Sequence, residues 1–418
     1  MFGKPVTMAA AGAACCALAA LPVRAEEGGE TCPAGDAFCE PASGVEPAEP
    51  EESGPDFHFG GAIRANVYHK SWEAGRKRRN LPENIRLDTV MLDASFEAGR
   101  WDGSMQYRFY YYSDDGILTH FPHHAWIGYR PDARQKIQAG IQKVPFGLLP
   151  FASNNFFFSL AFYAGLEDDY DLGFRYTREM GPWTFDAAWF PSDEGSWAGD
   201  SEDSARYSYD IVSDGARQNG ERHQFNLRAA RSFVIGHGIT GEAGASLQYG
   251  LIPNDTTGRD GERNAQALHA RFDRGPWNFK TEVIRYEFDL ENPPGQDGRY
   301  VTMGAFDYPY RVASRGWIYV AGLAYAWNTE EETGGLLKTV TFYNDYSYLD
   351  KAEESYAGSQ QNVLGAGMDF DGPLYVTLDW ALGRNNAYIG PEFTQALASG
   401  GNGGDWSSRV NLNVALYF

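Results

Sequence analysis

The residues with the chemistry to catalyse are few and poorly spaced for it. His120, His123 and His124 lie in H-F-P-H-H, which is not a zinc-ligand spacing, and a polar loop or wall position accounts for them. Asp168, Asp169 and Asp171 are close together, but the glycine and terminal glutamate of an EF-hand loop are missing. Serines and histidines occur without a nucleophile elbow, and there is no P-loop. Cys32 and Cys39 suit a local disulfide around a small loop rather than redox or metal chemistry. The expectation is a protein that is not an enzyme, with no catalytic residue, no cofactor and no metal ligand. What remains is charge. Arginines and lysines recur at alternate positions of apolar–polar runs, and fixed positive charge along a narrow polar passage lowers the cost of moving an anion through it.

Such charges need a scaffold, and the stretch Ser407–Phe418 indicates which. Val410, Leu412, Val414, Leu416 and Phe418 alternate with Asn411, Asn413 and Tyr417, which is a strand with one apolar face. A closed barrel would zip this strand against the first one and leave no free edge; a sandwich edge strand is the alternative. From Phe57 onward one plan repeats. Strands fall at Phe59–Tyr68, Leu92–Ala98, Ser104–Tyr111, Ala125–Arg130 and Lys136–Gln142. Ten more fall at 169–178, 181–190, 221–232, 239–250, 264–273, 276–288, 315–328, 337–346, 360–370 and 373–385. Short links such as REMGP, DRGP and DFDG alternate with long ones at 144–168, 191–220, 251–263, 289–314, 347–359 and 386–406. Tight turns on one side and long loops on the other are the habit of a membrane barrel.

The fold class predicted is all-β: a transmembrane antiparallel β-barrel of 16 strands. Tyr300–Tyr308 also reads as a strand, but including it makes the count odd and puts the termini on opposite sides, so it is placed in a long external loop. Recruiting Ala205–Ile211 as well gives the competing count of 18. Trp183, Trp277 and Trp317, near strand ends, suit an interfacial girdle beside short turns.

Composition agrees. Aromatics are 15% of the chain and Gly supplies 48 of 418 residues, which favours strands and turns. The formal charge of −21 excludes nucleic acid as a partner. Residues 1–25 have a positive start at Lys4, an apolar Ala-rich run and small residues before a cut after Ala25, the pattern of a signal peptide. Residues 26–56 are acidic and rich in Pro and Gly, a flexible segment ahead of the folded unit 57–418. Acidic loop residues Asp193, Glu194, Asp200, Glu202, Asp203, Asp210 and Asp214 read as solvated surface, or as cation bridges to lipopolysaccharide.

The run Lys136–Arg175 carries a resemblance. Gly140, Lys143, Pro145, Phe146 and Gly147 form a G-x-x-K-x-P-F-G strand exit; a long loop follows, then a return strand with Asp171, Gly173 and Arg175. With the runs 336–351 and 361–390, this resembles the phosphate-selective (O and P type) porins of Gram-negative bacteria. The resemblance implies an outer-membrane location, a homotrimer of 16-stranded barrels, a third loop (here 144–168) folded inward as a constriction, and anion selection by lumen cations. It also implies partners in membrane lipid and lipopolysaccharide, the outer-membrane assembly machinery, and small ions or solutes. By strand alternation Arg64, Arg108, Arg130, Lys136, Arg175, Arg228 and Arg271 face the lumen, and Lys143 stands where wall meets loop. Their other role is to keep the wall wet and to pair with Asp93, Glu97, Asp186 and Glu242. The loop departs from an anion site: between Pro145 and Leu166 it has no Lys or Arg, only the amides Asn154 and Asn155 amid Phe156, Phe157, Phe158, Phe162 and Tyr163. The function expected is diffusion of small hydrophilic solutes or ions with an anion preference. A cation-preferring or aromatic-solute channel and an exported β-rich binding protein are the alternatives.

Overall fold

A computed structural model of the chain describes residues 54–73, 85–112, 116–195, 204–401 and 404–418. The signal-peptide reading, the acidic segment up to Ser53, the Cys32–Cys39 pair, and Asp200, Glu202 and Asp203 lie outside the described residues.

Alternating sequence makes the strands. In chain order they are β1 (Asp56–Lys70), β2 (Ile85–Ala98), β3 (Trp101–Tyr112), β4 (Ile117–Asp132), β5 (Gln135–Lys143), β6 (Tyr170–Met180), β7 (Trp183–Asp193), β8 (Asp210–Ile211), β9 (Arg222–Ile235) and β10 (Ile239–Asn254). There follow β11 (Arg259–Arg274), β12 (Trp277–Asp289), β13 (Tyr300–Ala305), β14 (Tyr308–Ala313), β15 (Arg315–Asn328), β16 (Leu337–Lys351), β17 (Ser359–Phe370), β18 (Leu374–Arg384) and β19 (Ser407–Tyr417). Among the described residues sixteen of these close into one antiparallel barrel, and β14-β13-β8 form a separate small sheet. The last strand does close the ring: β19 pairs with β1 from Ala62↔Tyr417 to Lys70↔Arg409. Gly61 and Phe418 exchange backbone hydrogen bonds at 2.9 and 3.0 Å. The seam needs small residues there, because a Cβ on Gly60 would lie 2.6 Å from the Phe418 carbonyl oxygen.

Closure removes every edge from the wall, and the two faces then differ. Leu92, Met105, Ile127, Leu268 and Leu378 point outward and are exposed, while their neighbours Arg108, Asp186 and Asn411 point inward. An apolar outer band is what hydrocarbon demands, since all backbone groups are paired within the ring. Trp183 and Trp277 flank short turns as expected; Trp317 is also outward but lies at the long-link end.

Three expectations change. Tyr300–Tyr308 is outside the barrel wall, but it is not external: β13 and β14 are buried within the barrel, and Asp210–Ile211 joins them as β8 instead of extending the wall to 18 strands. The links 251–263 and 347–359 are short, 255–258 and 352–358, because the flanking hairpins stay paired beyond the apolar band, where backbone pairing no longer needs alternation. The interior is also not simply wet. At the long-link half, inward Tyr110, Phe121, Phe190, Ile284, Ile318 and Leu349 belong to one buried apolar core with the inner links.

Candidate functional site

Residues 144–169, between β5 and β6, cross the barrel. Their first turn is at Gly147, with φ of 64°. A Cβ there would lie 1.9 Å from Glu282 Oε1, so both conformation and space require glycine. Gly147 is held by its N–H to Ser246 Oγ at 3.1 Å and by Arg228 Nε donating to its carbonyl at 2.9 Å. The chain then reaches β16, eight strands from β5 around the ring. Asp345 accepts from the Asn154 N–H at 2.7 Å, Asn154 Nδ2 at 2.8 Å and Asn155 Nδ2 at 2.7 Å. Beyond it, Gln361 Nε2 donates to the Phe158 carbonyl at 2.6 Å, and the Leu160 N–H donates to Ser347 Oγ at 3.1 Å. Glu167 folds the segment on itself, accepting from Ser153 N and Oγ at 3.0 and 2.7 Å and from Ser159 N and Oγ at 3.0 and 2.5 Å. Burial nevertheless pushes the Glu167 carboxyl up, because four bonds do not offset the loss of water.

The entry turn supports a direct test. Gly147→Ala introduces left-handed strain and a collision with Glu282, costing about 1–3 kcal/mol of loop stability. The expected result is faster proteolysis of residues 144–169 in the folded barrel, with the barrel's own unfolding midpoint little changed.

Aromatic packing fills the space above the crossing. Phe158 stacks on Phe162 at 4.4 Å and Tyr163 on Tyr388 at 4.8 Å. Tyr310 of β14 donates to the Tyr163 carbonyl at 2.6 Å, and Phe306 sets its edge against Tyr110 at 5.1 Å and Phe121 at 5.7 Å. Of the long links, the described stretches 204–221, 290–314 and 385–401 thus fold inward onto the crossing segment. Asp193, Glu194 and Asp210 are buried with them, against the reading of this stretch as solvated surface. Arg206 lies between Asp193 at 3.1 Å and Asp210 at 3.2 Å. Burial pushes the Glu194 and Asp210 carboxyls up, and burial with the nearby Asp210 charge does the same to Asp169.

The cations singled out by alternation all face inward, but most are neutralised. Arg64 meets Asp88 at 3.3 Å. Arg108 donates to Gln106 Oε1 at 2.5 Å and lies over the Tyr207 ring at 4.6 Å. Arg130 and Lys136 share Asp102 at 2.9 and 2.8 Å. Lys143 binds Asp168 and donates to the Pro150 carbonyl at 3.0 Å. Arg175 holds Asp186 at 2.8 Å, and Arg228 holds Glu242 at 2.5 Å. Arg271 pairs with Asp273 at 3.1 Å and keeps 36% of its side chain exposed. Pairing with Asp186 and Glu242 is therefore as anticipated, whereas Asp93 accepts from Gln106 at 2.6 Å instead.

A cavity of about 420 Å³ lies beneath the crossing, at the short-turn end. Leu148, Pro150, Phe151 and Asn154 roof it, and Arg271 with Lys280 bring positive charge to its wall. Asn278 and Asp273 complete the polar lining. Lys280 also donates to the Ser153 carbonyl at 3.1 Å. Sequence reasoning passed over Lys280 and Asp345. Alternation alone places both inward, through Asn278, Lys280 and Glu282 on β12 and through Tyr343, Asp345 and Ser347 on β16; an unbroken tally of basic residues and one of inward acids would have found them.

Solved structures share this architecture. The outer membrane channel DcaP of Acinetobacter baumannii aligns with a TM-score of 0.53 at 13% identity, over 87% of this chain and 98% of that one. An anion-selective porin from Comamonas acidovorans aligns with a TM-score of 0.54 at 14% identity, over 87% of this chain and all of that one. No curated protein matches the chain by sequence. Residues 99–260, the stretch holding the crossing segment and its anchors on β5 and β6, match the family "Phosphate-selective porin O and P". With that match and a closed sixteen-strand wall whose outer face is apolar, the chain is a porin-like channel for small solutes in the outer membrane of a Gram-negative bacterium, a transport protein and not an enzyme.

Proposed function

We propose that the channel passes small anions, organic carboxylates included, and that residues 144–168 are its constriction. One observation carries this reading: the cavity beneath the crossing segment combines Arg271 and Lys280 with the apolar surfaces of Leu148, Pro150 and Phe151. Arg271 and Lys280 turn N–H donors to the cavity with Asp273 as the carboxylate in its lining and Asp345 near Lys280, and the apolar roof accommodates a hydrocarbon body. Selection thus rests first on these two residues; Arg130 and Lys136, which outnumber Asp102 near the 133–134 turn, add positive charge at that end, while Arg64, Arg175 and Arg228 are each offset by a carboxylate. The leader 1–25 directs export and the acidic segment 26–56 precedes the barrel in this scheme. A trimer is supported by the outward patch where Ala94, Ala125 and Ala139 lie among Phe57, Phe59 and Met105, a face shallow enough for a second barrel.

The reversal potential in a KCl gradient tests the preference. The unmodified channel should be anion-preferring, Arg271→Ala with Lys280→Ala should move the potential toward cation preference, and Lys143→Ala should move it little, since Asp168 already cancels that charge. Cation preference in the unmodified channel overturns the proposal and favours the second reading, a cation channel, for which the −21 net charge speaks.

A further inference from the structure

Six carboxylates lie together where the crossing segment returns to the wall: Asp169, Asp171, Asp193, Glu194, Asp210 and Glu221. Among the described residues two guanidinium groups stand with them, Arg206 with Asp193 and Asp210, and Arg263 with Glu221. All are at least nine-tenths buried. Bare charge of one sign cannot be left in such a place, because its desolvation costs several kcal/mol per ion or more. Something positive must enter, either protons or a metal ion.

The oxygen geometry favours an ion. Ligand oxygens of Asp169, Asp171 and Asp210 lie within 4.8 Å of one another. Calcium takes oxygens at about 2.3–2.6 Å, so two ligands on opposite sides of it stand roughly 5 Å apart. A second, independent observation comes from Gln224 on β9. Its Nε2 donates to Asp171 Oδ2 at 2.9 Å, which ties the amide, and with it the carbonyl oxygen, to a carboxylate of the triad. That oxygen, on a residue only 3% exposed, has no hydrogen-bond partner among the described residues. The same holds for Asp169 Oδ1, Asp171 Oδ1 and Glu194 Oε2. Protonation of Asp171 at Oδ1 would let it donate back to the Gln224 carbonyl as an acid–amide pair, whereas one ion would serve the open oxygens of Asp169, Asp171, Glu194 and Gln224 together. An all-oxygen set of carboxylates and one amide carbonyl selects a hard cation, and the number of oxygens available suits calcium better than the strict octahedron of magnesium.

We propose that Asp169, Asp171, Asp210 and Gln224, with Glu194 as a further ligand, form a calcium site. No EF-hand spacing announces it, because Asp210 and Gln224 arrive from distant parts of the chain. The ion would join three parts that Ser208, Tyr207 and Arg206 already hold together: the end of the crossing segment at Asp169, the wall at Asp171 and Gln224, and the inner sheet at Asp210. The site does not depend on which solute the channel passes.

Terbium reports on it, because Tyr170 sits between two of the ligands and Tyr207 packs 5.7 Å from the Tyr170 ring, close enough to sensitise emission. Full-length protein is purified in detergent, stripped with a chelator and titrated with Tb³⁺ at neutral pH. Emission should saturate at one ion per chain and be displaced by Ca²⁺ in preference to Mg²⁺. Added Ca²⁺ should also raise the unfolding midpoint, as any ligand of the folded state does. Asp210→Asn should weaken Ca²⁺ competition roughly 10–100-fold. Gln224→Met, which alters no charge and serves if Asp210→Asn does not fold, should weaken it by a smaller factor. Emission unchanged in both variants assigns the binding to surface acids and overturns the proposal. So does a stripped protein that neither binds Tb³⁺ nor gains stability from Ca²⁺, for then protons alone neutralise the cluster.

Discussion

Replacing Asp345 by alanine is expected to raise single-channel conductance several-fold while leaving the barrel folded. Asp345 is the hook on which the first half of the crossing segment hangs. It takes three hydrogen bonds from Asn154 and Asn155, from the far side of the lumen. Bonds to a charged acceptor contribute roughly 1.5–3 kcal/mol each, so losing all three removes about 4 kcal/mol or more from the hold on this end. The second half keeps its own ties to Ser347 and Gln361, and Glu167 still clasps Ser153 and Ser159. The segment should therefore swing from the wall near residues 148–157 instead of unravelling, widening the cavity beneath. Asp345→Asn keeps one acceptor oxygen and should show an intermediate rise. If conductance is the same in the alanine variant and the original, residues 144–168 do not set the width of the passage.

What could be read from the chain, and what could not, follows from the kind of interaction involved. The wall was legible because its signal is local: Val410, Leu412, Val414 and Leu416 against Asn411 and Asn413 fix facing two residues at a time, and parity with the alternation of links removes Tyr300–Tyr308 from the ring. The pairing of Arg175 and Arg228 with Asp186 was also legible in kind, since neighbouring strands place Arg228 opposite Asp186 and Arg175 two residues along, whereas Glu242 stands four residues from the register partner of Arg228. The filling of the barrel was not. Tyr163 on Tyr388, Tyr310 on Tyr163, and Asp345 on Asn154 join residues some 150 to 225 positions apart, and no periodicity records such a meeting. The same holds for inward Ile284 and Ile318. Alternation shows which way they point, but an apolar residue facing inward contradicts a wet lumen unless one knows that the inner links are there to cover it. The buried Asp193, Glu194 and Asp210 were misread for the complementary reason: acidic composition signals solvent on average, and only the fold shows that these acids share Arg206.

Placing an arginine on the outer face tests the other premise, that the apolar band lies in hydrocarbon. Leu378 stands near the middle of β18, exposed, and in register with Ala366 on one side and Leu412 on the other. Leu378→Arg puts a guanidinium among acyl chains, where such a charge costs about 2–4 kcal/mol at the bilayer midplane and only about 0–1 near the interface. Leu336→Arg is the matched control. Leu336 is more exposed still, but it lies in the 329–336 turn, where headgroups and water can solvate the charge. Urea unfolding from phospholipid vesicles should therefore show a large loss of stability for the first variant and almost none for the second. In detergent, whose micelle deforms around a charge, the difference should shrink. Equal small losses in vesicles would mean that the Leu378 face does not meet lipid. That face of β18 would then be covered by protein, as at a contact between barrels, and not by acyl chains.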